Sequence, residues 1–495
     1  MTYIITAEEN GKITGITAPD DKTILESLRI NGSSVHAPCG GNGTCSQCKV
    51  NVTGAVRGFD GEIHVCNNDE LLACRFYPAG DINVSVHVGK GAKVLTESFD
   101  IAPCGEGYGL AVDIGTTTVA AYLYDLASGK CINRCGEMNA QRAFGSDVIS
   151  RIQYASNKEG LEALCRVIRK QLVDVAKQMC DDISKIKYVS IAANTVMEHL
   201  FAYLSPETIG VAPFTPLSLF GDECSAAEML EGFSADCKLY LCTAVAGYVG
   251  GDITAGILSS GIGDSEETVL FIDIGTNGEM ALGNKDGFIC CATAAGPAFE
   301  GAEIECGSPA QDGAINTVNI DLSYTVLGDC NAKSICGSGL IDAVAALLYN
   351  EEIDEGGCLD EDHYFNDNVF LSGKDVRCLQ LAKAAVRAGI ETLLERSGKT
   401  YDDISEVLIA GGFGAYMSIK SACAIGLLPP ALMERTRHVG NSAGRGAAMC
   451  LSAEGREFLA EIAKRCSYEE LSSSALFNDN YIEAMMFDEY EQVVG

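Results

Sequence analysis

The chain has 495 residues, of which 47% are hydrophobic and 21% are charged. This apolar content excludes a disordered chain, and the length predicts roughly two to four compact domains. The formal net charge is −33, and no stretch is basic enough to follow a phosphate backbone. We therefore expect no nucleic acid and no anionic membrane surface among its partners.

The start of the chain and its most apolar stretch predict a cytoplasmic protein. The first residues lack the basic segment and apolar run of a signal peptide. The stretch over residues 243–262 contains Asp252 and several glycines, so we expect no membrane-spanning helix. Without an export signal, the 23 cysteines indicate metal binding or redox chemistry rather than disulfide bonds.

Four cysteines near the N-terminus have the spacing of an iron–sulfur site. Cys39, Cys45 and Cys48 form the pattern C-x5-C-x2-C in a glycine-rich loop, and Cys74 follows 26 positions after Cys48. A two-iron cluster held by four thiolates needs three ligands from one loop and a fourth from another element. Glycines let such a loop fold closely around the cluster. A structural zinc site is the alternative, and Cys66 is the alternative fourth ligand.

The residues around this loop predict a small mixed sheet with one helix. Alternating polar and apolar residues indicate strands over residues 12–17, 47–52 and 81–88, and residues 21–29 indicate the helix. With the cysteine spacing, this pattern resembles the [2Fe–2S] ferredoxin domain, a β-grasp fold, over residues 1–93. The resemblance implies a [2Fe–2S] cluster held by Cys39, Cys45, Cys48 and Cys74.

Residues 94–107 are predicted to be a linker, and two similar segments follow it at positions 160 residues apart. One begins at Tyr108 and the other at Thr268, and in each an apolar strand leads into Asp-Ile-Gly-Thr and then into a second apolar strand. This pattern predicts a hairpin with a carboxylate at its mouth. Its repetition makes a functional role more credible than a single Asp-x-Gly-Thr would.

The residue types in these hairpins suit a magnesium nucleotide. Glycine turns and hydroxyl groups donate hydrogen bonds to phosphate oxygens, and an aspartate can hold a hydrated Mg²⁺. We therefore predict that Asp113 and Asp273 face the metal ion. The phosphate contacts are predicted at Gly115, Thr116, Thr117, Gly275, Thr276 and Asn277.

Two further glycine clusters extend the pattern. The segment from Ile335 opens a predicted helix, and the segment from Val407 is a predicted buried strand that ends in a glycine turn. With the two hairpins, these segments resemble the ATPase superfamily of actin, sugar kinases and heat-shock chaperones. The resemblance implies an α/β fold of two ribonuclease-H-like lobes, over residues 108–265 and 266–495, with ATP between them. It implies nucleoside contacts at Gly337, Ser338, Gly411, Gly412 and Gly414.

A [2Fe–2S] ferredoxin domain fused to an actin-like ATPase domain is a combination typical of few protein families. It resembles the reductive activators of corrinoid proteins, as do the phrases that begin at Gly145, Ala193, Gly250, Ala295 and Gly440. The resemblance implies an ATP-dependent activator that returns inactive Co(II) corrinoid of a methyltransferase system to Co(I) through the [2Fe–2S] cluster. The implied partners are a corrinoid methyl-carrier protein and an external low-potential electron donor. The sequence departs from the family in two ways: the linker is too short for the extra middle domain of longer members, and the C-terminal region has no four-cysteine cluster motif. These departures leave the identities of the electron donor and of the partner open.

Four further residues are candidates whose roles the sequence leaves open. Asp252 is a candidate for orienting the attacking water or a helix N-cap, and Asp147 is a candidate cap. Glu300 is a candidate to reach the cleft. His199 either faces the partner's cobalt or is a hydrogen-bonded core histidine.

Three other functions are compatible with the ATPase pattern, and one of them is an ATP-gated chaperone whose cluster is vestigial. A small-metabolite kinase would use the same ATP domain but would not explain the cysteine motif. An activator of another low-potential enzyme, such as a radical dehydratase, would use ATP and an iron–sulfur cluster. The sequence leaves open whether the chain forms a homodimer.

Overall fold

The computed structural model describes residues 1–9, 11–33, 35, 37, 41, 43, 48–86, 99–328, 330–412, 416–487 and 489–494. Its frame is one five-stranded sheet and two six-stranded sheets, accompanied by one three-stranded and one two-stranded sheet. Helices pack on these sheets, so the expected α/β architecture is confirmed. Within the described ranges, every helix is too short or too polar to cross a membrane.

The five-stranded sheet belongs to the N-terminal module. Its strand order is β2-β1-β5-β3-β4, with β1 and β5 parallel at its centre. The helix begins at Ile24 because Thr23 and Glu26 form a capping box. Its elements are β1 (Thr2–Glu9), β2 (Lys12–Pro19), α1 (Ile24–Ile30), β3 (Lys49–Gly58), β4 (Ile63–Leu72) and β5 (Phe76–Val86).

The first six-stranded sheet lies in residues 108–265, which we call lobe I. Its strand order is β10-β11-β9-β6-β7-β8. Its elements are β6 (Tyr108–Ile114), β7 (Thr118–Asp125), β8 (Lys130–Met138), α2 (Val148–Tyr154), α3 (Lys158–Met179), β9 (Ile186–Ala193), α4 (Thr195–Ala202), β10 (Glu223–Ser225), β11 (Lys238–Leu241) and α5 (Gly251–Ser260).

The second six-stranded sheet lies in residues 266–495, which we call lobe II. These lobe limits and the linker stay predictions. The strand order is β21-β20-β12-β13-β14-β22. The elements are β12 (Thr268–Ile274), β13 (Gly278–Asn284), β14 (Gly287–Thr293), β15 (Ala314–Val318), β16 (Tyr324–Val326), β17 (Ser334–Ile335), α6 (Gly337–Tyr349), β18 (His363–Asn366), β19 (Val369–Leu371), α7 (Gly373–Ser397), β20 (Ile404–Ala410), α8 (Ile419–Ala424), β21 (Thr436–Gly440), α9 (Ser442–Met449), α10 (Ala453–Arg465), β22 (Cys466–Tyr468), α11 (Ala475–Glu483) and α12 (Tyr490–Val494).

The two lobes repeat one arrangement around their hairpins. In lobe I, β6 pairs antiparallel with β7 and parallel with β9, and in lobe II, β12 pairs antiparallel with β13 and parallel with β20. Asp113 lies opposite Ala192 of β9, just as Asp273 lies opposite Ala410 of β20. The equivalent registers place both aspartates at the same end of their sheets. Helices α5 and α9 pack together in a core that contains residues from both sheets.

The N-terminal module contacts lobe I through two arginines. The Arg29 guanidinium lies 5.8 Å from the centre of the Phe144 ring. Arg29 is 2% exposed and also donates to the carbonyl of Ala37 in the cysteine loop. Arg166 of α3 donates to the carbonyl of Ile30 over 3.2 Å. The loop that carries the cysteines is therefore connected to lobe I by a short set of contacts.

Candidate functional site

Two of the four motif cysteines lie together in the N-terminal module. Cys48 precedes β3, and Cys74 lies in the short turn Ala73–Arg75 that follows β4. The backbone N–H of Cys74 donates to the Cys48 sulfur over 3.5 Å, and the N–H of Ala73 donates to the Cys48 carbonyl over 2.8 Å. Both cysteines are buried. An N–H donor aimed at a sulfur is the kind of contact that stabilises a cluster thiolate. Cys39 and Cys45 lie outside the described residues.

Cys66 is far from this pair. It lies on β4 opposite Gly54, whereas Leu72 at the end of β4 lies opposite Lys49, the neighbour of Cys48. At about 3.3 Å per residue, the five positions from Lys49 to Gly54 span roughly 16 Å. This separation is too long for one cluster, so the geometry favours Cys74 over Cys66 as the proposed fourth ligand.

Asparagine side chains hold the turn of the first hairpin, and a backbone hydrogen bond closes the turn of the second. Asn139 donates to the Gly115 carbonyl over 2.8 Å, and Asn194 donates to the Thr116 hydroxyl over 3.1 Å. In lobe II, the Gly275 N–H donates to the Asn277 carbonyl over 2.9 Å, which closes that turn. These bonds hold the proposed phosphate-contacting backbone in place before any ligand arrives.

The carboxyl groups at the mouths of the hairpins are crowded. Desolvation raises the pKa of Asp113 to about 7 and that of Asp273 to about 6, and repulsion from Asp273 adds to the effect at Asp113. The pKa of Asp252 rises to about 8 because burial and both aspartates oppose its ionisation. Burial and the repulsion of Asp252 and Asp273 likewise raise the pKa of Glu279, which lies opposite Asp273 in the hairpin.

Among the described residues, no cation offsets the raised pKa values of these four neighbouring carboxyl groups. A hydrated divalent cation would supply positive charge, and Mg²⁺ prefers carboxylates and waters of this kind. Asp113 is oriented by Asn441, whose amide donates to its Oδ2 over 2.9 Å. The residues present therefore fit Mg²⁺ with nucleotide phosphates, and Asp113 and Asp273 lie on the strands that lead into the two proposed phosphate turns.

Glu300 joins the two hairpins. Its carboxylate accepts a hydrogen bond from the Thr117 hydroxyl over 2.6 Å and another from the Thr276 hydroxyl over 3.0 Å. Arg142 is close enough that the Glu300 charge counteracts the lowering of its pKa by burial. Of the candidates with uncertain roles, Glu300 is thus the one that contacts both proposed phosphate turns.

The predicted nucleoside contacts fall on three segments. Gly411 has a φ of 91°, and a Cβ there would come within 2.6 Å of the Asp273 carboxylate, so only glycine fits. A Cβ on Gly412 would meet no atom of the described residues within 4 Å. Gly337 and Ser338 begin α6, but the Ser338 hydroxyl already donates to the Asn316 carbonyl. Gly414 lies outside the described residues.

The structure shows the surroundings of Asp252, Asp147 and His199, whose roles the sequence left open. Gly250 is the N-cap of α5, so the cap interpretation of Asp252 is wrong, although its Oδ1 accepts from the Ile253 N–H. Asp147 is the N-cap of α2. His199 is fully buried, lies 2.7 Å from the Thr195 carbonyl through Nδ1 and accepts from the Leu217 N–H through Nε2. It is a core histidine, and it does not face a partner.

Sequence reasoning missed the polar residues that hold the turns. Arg151 is fully buried and donates to the carbonyls of Thr116 and Gly145. Asn194 and Asn441 cap helices α4 and α9 and at the same time contact the hairpins. An asparagine directly after a buried strand is a cap signal, but its second contact depends on the tertiary fold.

Comparisons with known proteins agree with this geometry. Residues 7–79 match the 2Fe-2S iron-sulfur cluster binding domain, 108–265 the RACo middle region, and 267–493 the C-terminal domain of RACo, the ASKHA domain. A curated relative, the corrinoid activation enzyme RamQ of Eubacterium limosum, is 35% identical over 77% of this chain and 70% of its own length. The [Co(II) methylated amine-specific corrinoid protein] reductase of Methanosarcina barkeri is 25% identical over 78% and 79%.

A solved structure is similar over nearly the whole chain. The reductive activator for corrinoid,iron-sulfur protein aligns with a TM-score of 0.70 and 30% identity, covering 98% of each chain. The cysteine module, the doubled hairpin and these matches lead to one conclusion. The chain belongs to the family of reductive activators of corrinoid proteins.

Proposed function

We propose that this chain is an ATP-dependent activator that returns the Co(II) corrinoid of a methyl-carrier protein to Co(I). The observation that carries the proposal is the presence of two sites in one connected chain. One is the Cys48–Cys74 pair, and the other is the pair of phosphate turns joined by Glu300. The proposed resident groups are a [2Fe–2S] cluster and Mg-ATP, and the electron comes from an external low-potential donor.

The need for ATP follows from the direction of the electron transfer. Plant-type [2Fe–2S] centres have potentials near about −400 mV, and the Co(II)/Co(I) couples of corrinoids generally lie lower. Each ~59 mV of unfavourable difference lowers the equilibrium constant of a one-electron step about tenfold. Nucleotide binding helps only where the nucleotide states bind the corrinoid partner differently. When bound, the cluster supplies a one-electron carrier in contact with the partner.

The residues of the cleft suggest how nucleotide binding would change the contacts between the two lobes. Thr117 and Thr276 donate to Glu300, but the same hydroxyls are the donors that phosphate oxygens need. Phosphates entering between the turns would compete with the carboxylate for these hydroxyls. The distance between the lobes would then depend on which nucleotide is bound, and so would the surface offered to the corrinoid protein.

The first test is an anaerobic absorbance assay. A Co(II) corrinoid methyl-carrier protein is mixed with this protein and a reductant, with and without Mg-ATP. We expect Co(I) only when the protein and Mg-ATP are both present. Formation of a phosphorylated metabolite instead would support a kinase. Failure with a competent carrier, an intact cluster and bound ATP would indicate the activator of another enzyme.

Matched variants separate the two sites. Cys74→Ser should abolish electron transfer and leave nucleotide binding intact, while Cys66→Ser removes a buried cysteine of the same module and should retain activity. Asp113→Ala should do the reverse, losing Mg-nucleotide binding with the cluster spectrum unchanged. Asp236→Ala, at an exposed site in lobe I, is its control. Full activity in both Cys74→Ser and Asp113→Ala would refute the assignment.

A further inference from the structure

The outer face of lobe I carries a groove lined by positive charge. The groove has a volume of about 870 Å³ and runs along α3. Its cationic lining residues are Lys158, Arg166, Arg169, Lys170 and Lys177. Glu162, Asp174 and Glu231 are the acidic ones, so the lining has a net positive charge. The whole chain, by contrast, has a net charge of −33.

The cations of the groove differ in how far they are already engaged. Lys170 pairs with Asp174, and Arg169 donates to the Phe201 carbonyl. Lys158 and Lys177 are exposed and make no side-chain hydrogen bond or ion pair with any residue that the structure describes. Both ammonium groups are therefore available to a partner that lies in the groove.

The position of the groove relates it to the cluster module. Arg166 lines the groove and donates to the Ile30 carbonyl at the end of α1. Helix α1 in turn packs on the turn that carries Cys74, and its Arg29 donates to the cysteine loop at Ala37. A protein lying in the groove would therefore lie beside the module that is proposed to hold the cluster.

We propose that this groove binds an acidic electron-donor protein. A negatively charged partner is repelled by most of a strongly acidic surface, and a local excess of positive charge then directs its approach. The donor loses one electron and the cluster gains it, with no proton or bond involved. The inference rests on the proposed function, because it takes the [2Fe–2S] cluster as the acceptor.

The groove suits the donor better than the corrinoid acceptor. Helix α3 packs on the face of the lobe I sheet that is opposite to α5 and α9. Helices α5 and α9 lie between the lobes, where nucleotide binding acts. The acceptor must be bound differently in each nucleotide state, whereas a donor only has to reach the cluster. A surface on the far side of lobe I meets the second requirement.

The test compares two double variants with the same charge change. Lys158→Glu with Lys177→Glu reverses the free charges of the groove, and Lys130→Glu with Lys374→Glu reverses two exposed lysines elsewhere. The full-length protein with its cluster is mixed in stopped flow with a reduced, acidic [2Fe–2S] ferredoxin or with dithionite. No corrinoid protein is present, so failure of the proposed corrinoid reduction would not affect the result.

We expect the groove variant to accept electrons from ferredoxin about tenfold more slowly at low salt, with the difference shrinking as salt is added. The control variant should keep the wild-type rate, and dithionite should reduce all three proteins equally. Equal loss in both variants, or no loss in either, would overturn the proposal.

Discussion

At the scale of single residues, Glu300 is the side chain that connects the two hairpins of the cleft. It is the carboxylate to which the hydroxyls of Thr117 and Thr276 both donate. A water beside the terminal phosphate, held between the same turns, would lie within reach of this carboxylate. Once phosphates take over the two threonine hydroxyls, the Glu300 carboxylate is free to accept a proton, which makes Glu300 a candidate for the general base beside Asp252.

We expect Glu300→Gln to lower ATP turnover by about 10²- to 10⁴-fold, the usual contribution of a general base. The amide keeps the size of the side chain and removes a negative charge beside the phosphates, so nucleotide should bind at least as tightly as in the wild type. Phosphate release and the Kd for nucleotide are the two measurements. Glu303→Gln, at an exposed position three residues away, is the control.

Undiminished turnover in Glu300→Gln would show that the carboxylate only bridges the turns. Asp252→Asn would then be the next variant, since burial and its acidic neighbours raise the pKa of Asp252 to about 8. A group with that pKa is largely protonated at neutral pH in the absence of a cation. It can act as a base only once a bound metal ion has lowered its pKa.

At the scale of elements, some residues that cap helices also contact the site, and the sequence did not predict these second contacts. Asn441 caps α9 by accepting from the Gly444 N–H, and its amide donates to Asp113, which lies far away in sequence. The cap is a local property that composition can indicate. The contact with Asp113 exists only because α9 packs against β6, and no local pattern encodes that packing.

The same contrast applies to the fold as a whole. The doubled Asp-Ile-Gly-Thr segments predicted the hairpins correctly, since a buried strand, a glycine turn and a second buried strand are local signals. The sequence did not predict strands β1 and β4. Strand β4 lacks a clear alternating pattern because it is an edge strand on which the apolar residues Ile63 and Val65 are exposed. Glu300 was named only as a candidate, because its role depends on two turns that are distant in sequence.

Asn441→Ser should separate the two roles of this residue. Serine is also a good N-cap, so Asn441→Ser should change the free energy of unfolding little. Asn441→Ala should lower the free energy of unfolding by about 1 kcal/mol. The hydrogen bond from Asn441 favours the ionised form of Asp113 and holds its pKa down against desolvation. Both variants lose that bond, so the pKa of Asp113 should rise further above its present value of about 7.

The sign of the pH effect follows directly. Mg²⁺ needs the ionised carboxylate, so a higher pKa moves the pH at which Mg-nucleotide binding is half complete upward. Titrations of nucleotide binding between pH 6 and 9 would measure this midpoint. An unchanged midpoint in Asn441→Ser would mean that Asp113 does not govern binding of the metal ion.

At the scale of the whole molecule, a continuous set of contacts runs from the Thr116 turn, a proposed phosphate turn, to the cysteine loop. Arg151 donates to the carbonyls of Thr116 and Gly145. The next link is Phe144, whose ring lies against the Arg29 guanidinium, and Arg29 donates to Ala37. Most of these groups are buried in a close-packed interior, so a movement of the Thr116 turn would displace its packed neighbours.

This set of contacts predicts that nucleotide binding alters the environment of the cluster. We expect Mg-ATP to shift the midpoint potential or the electron paramagnetic resonance signal of the reduced cluster in the wild type. Phe144→Leu should keep the cluster and nucleotide binding but reduce that shift, because the ring beside Arg29 is lost. Phe365→Leu removes a partly buried ring in lobe II and is the control. A full shift in Phe144→Leu would show that the sites communicate by another route, because coupling needs an element whose state both ligands change.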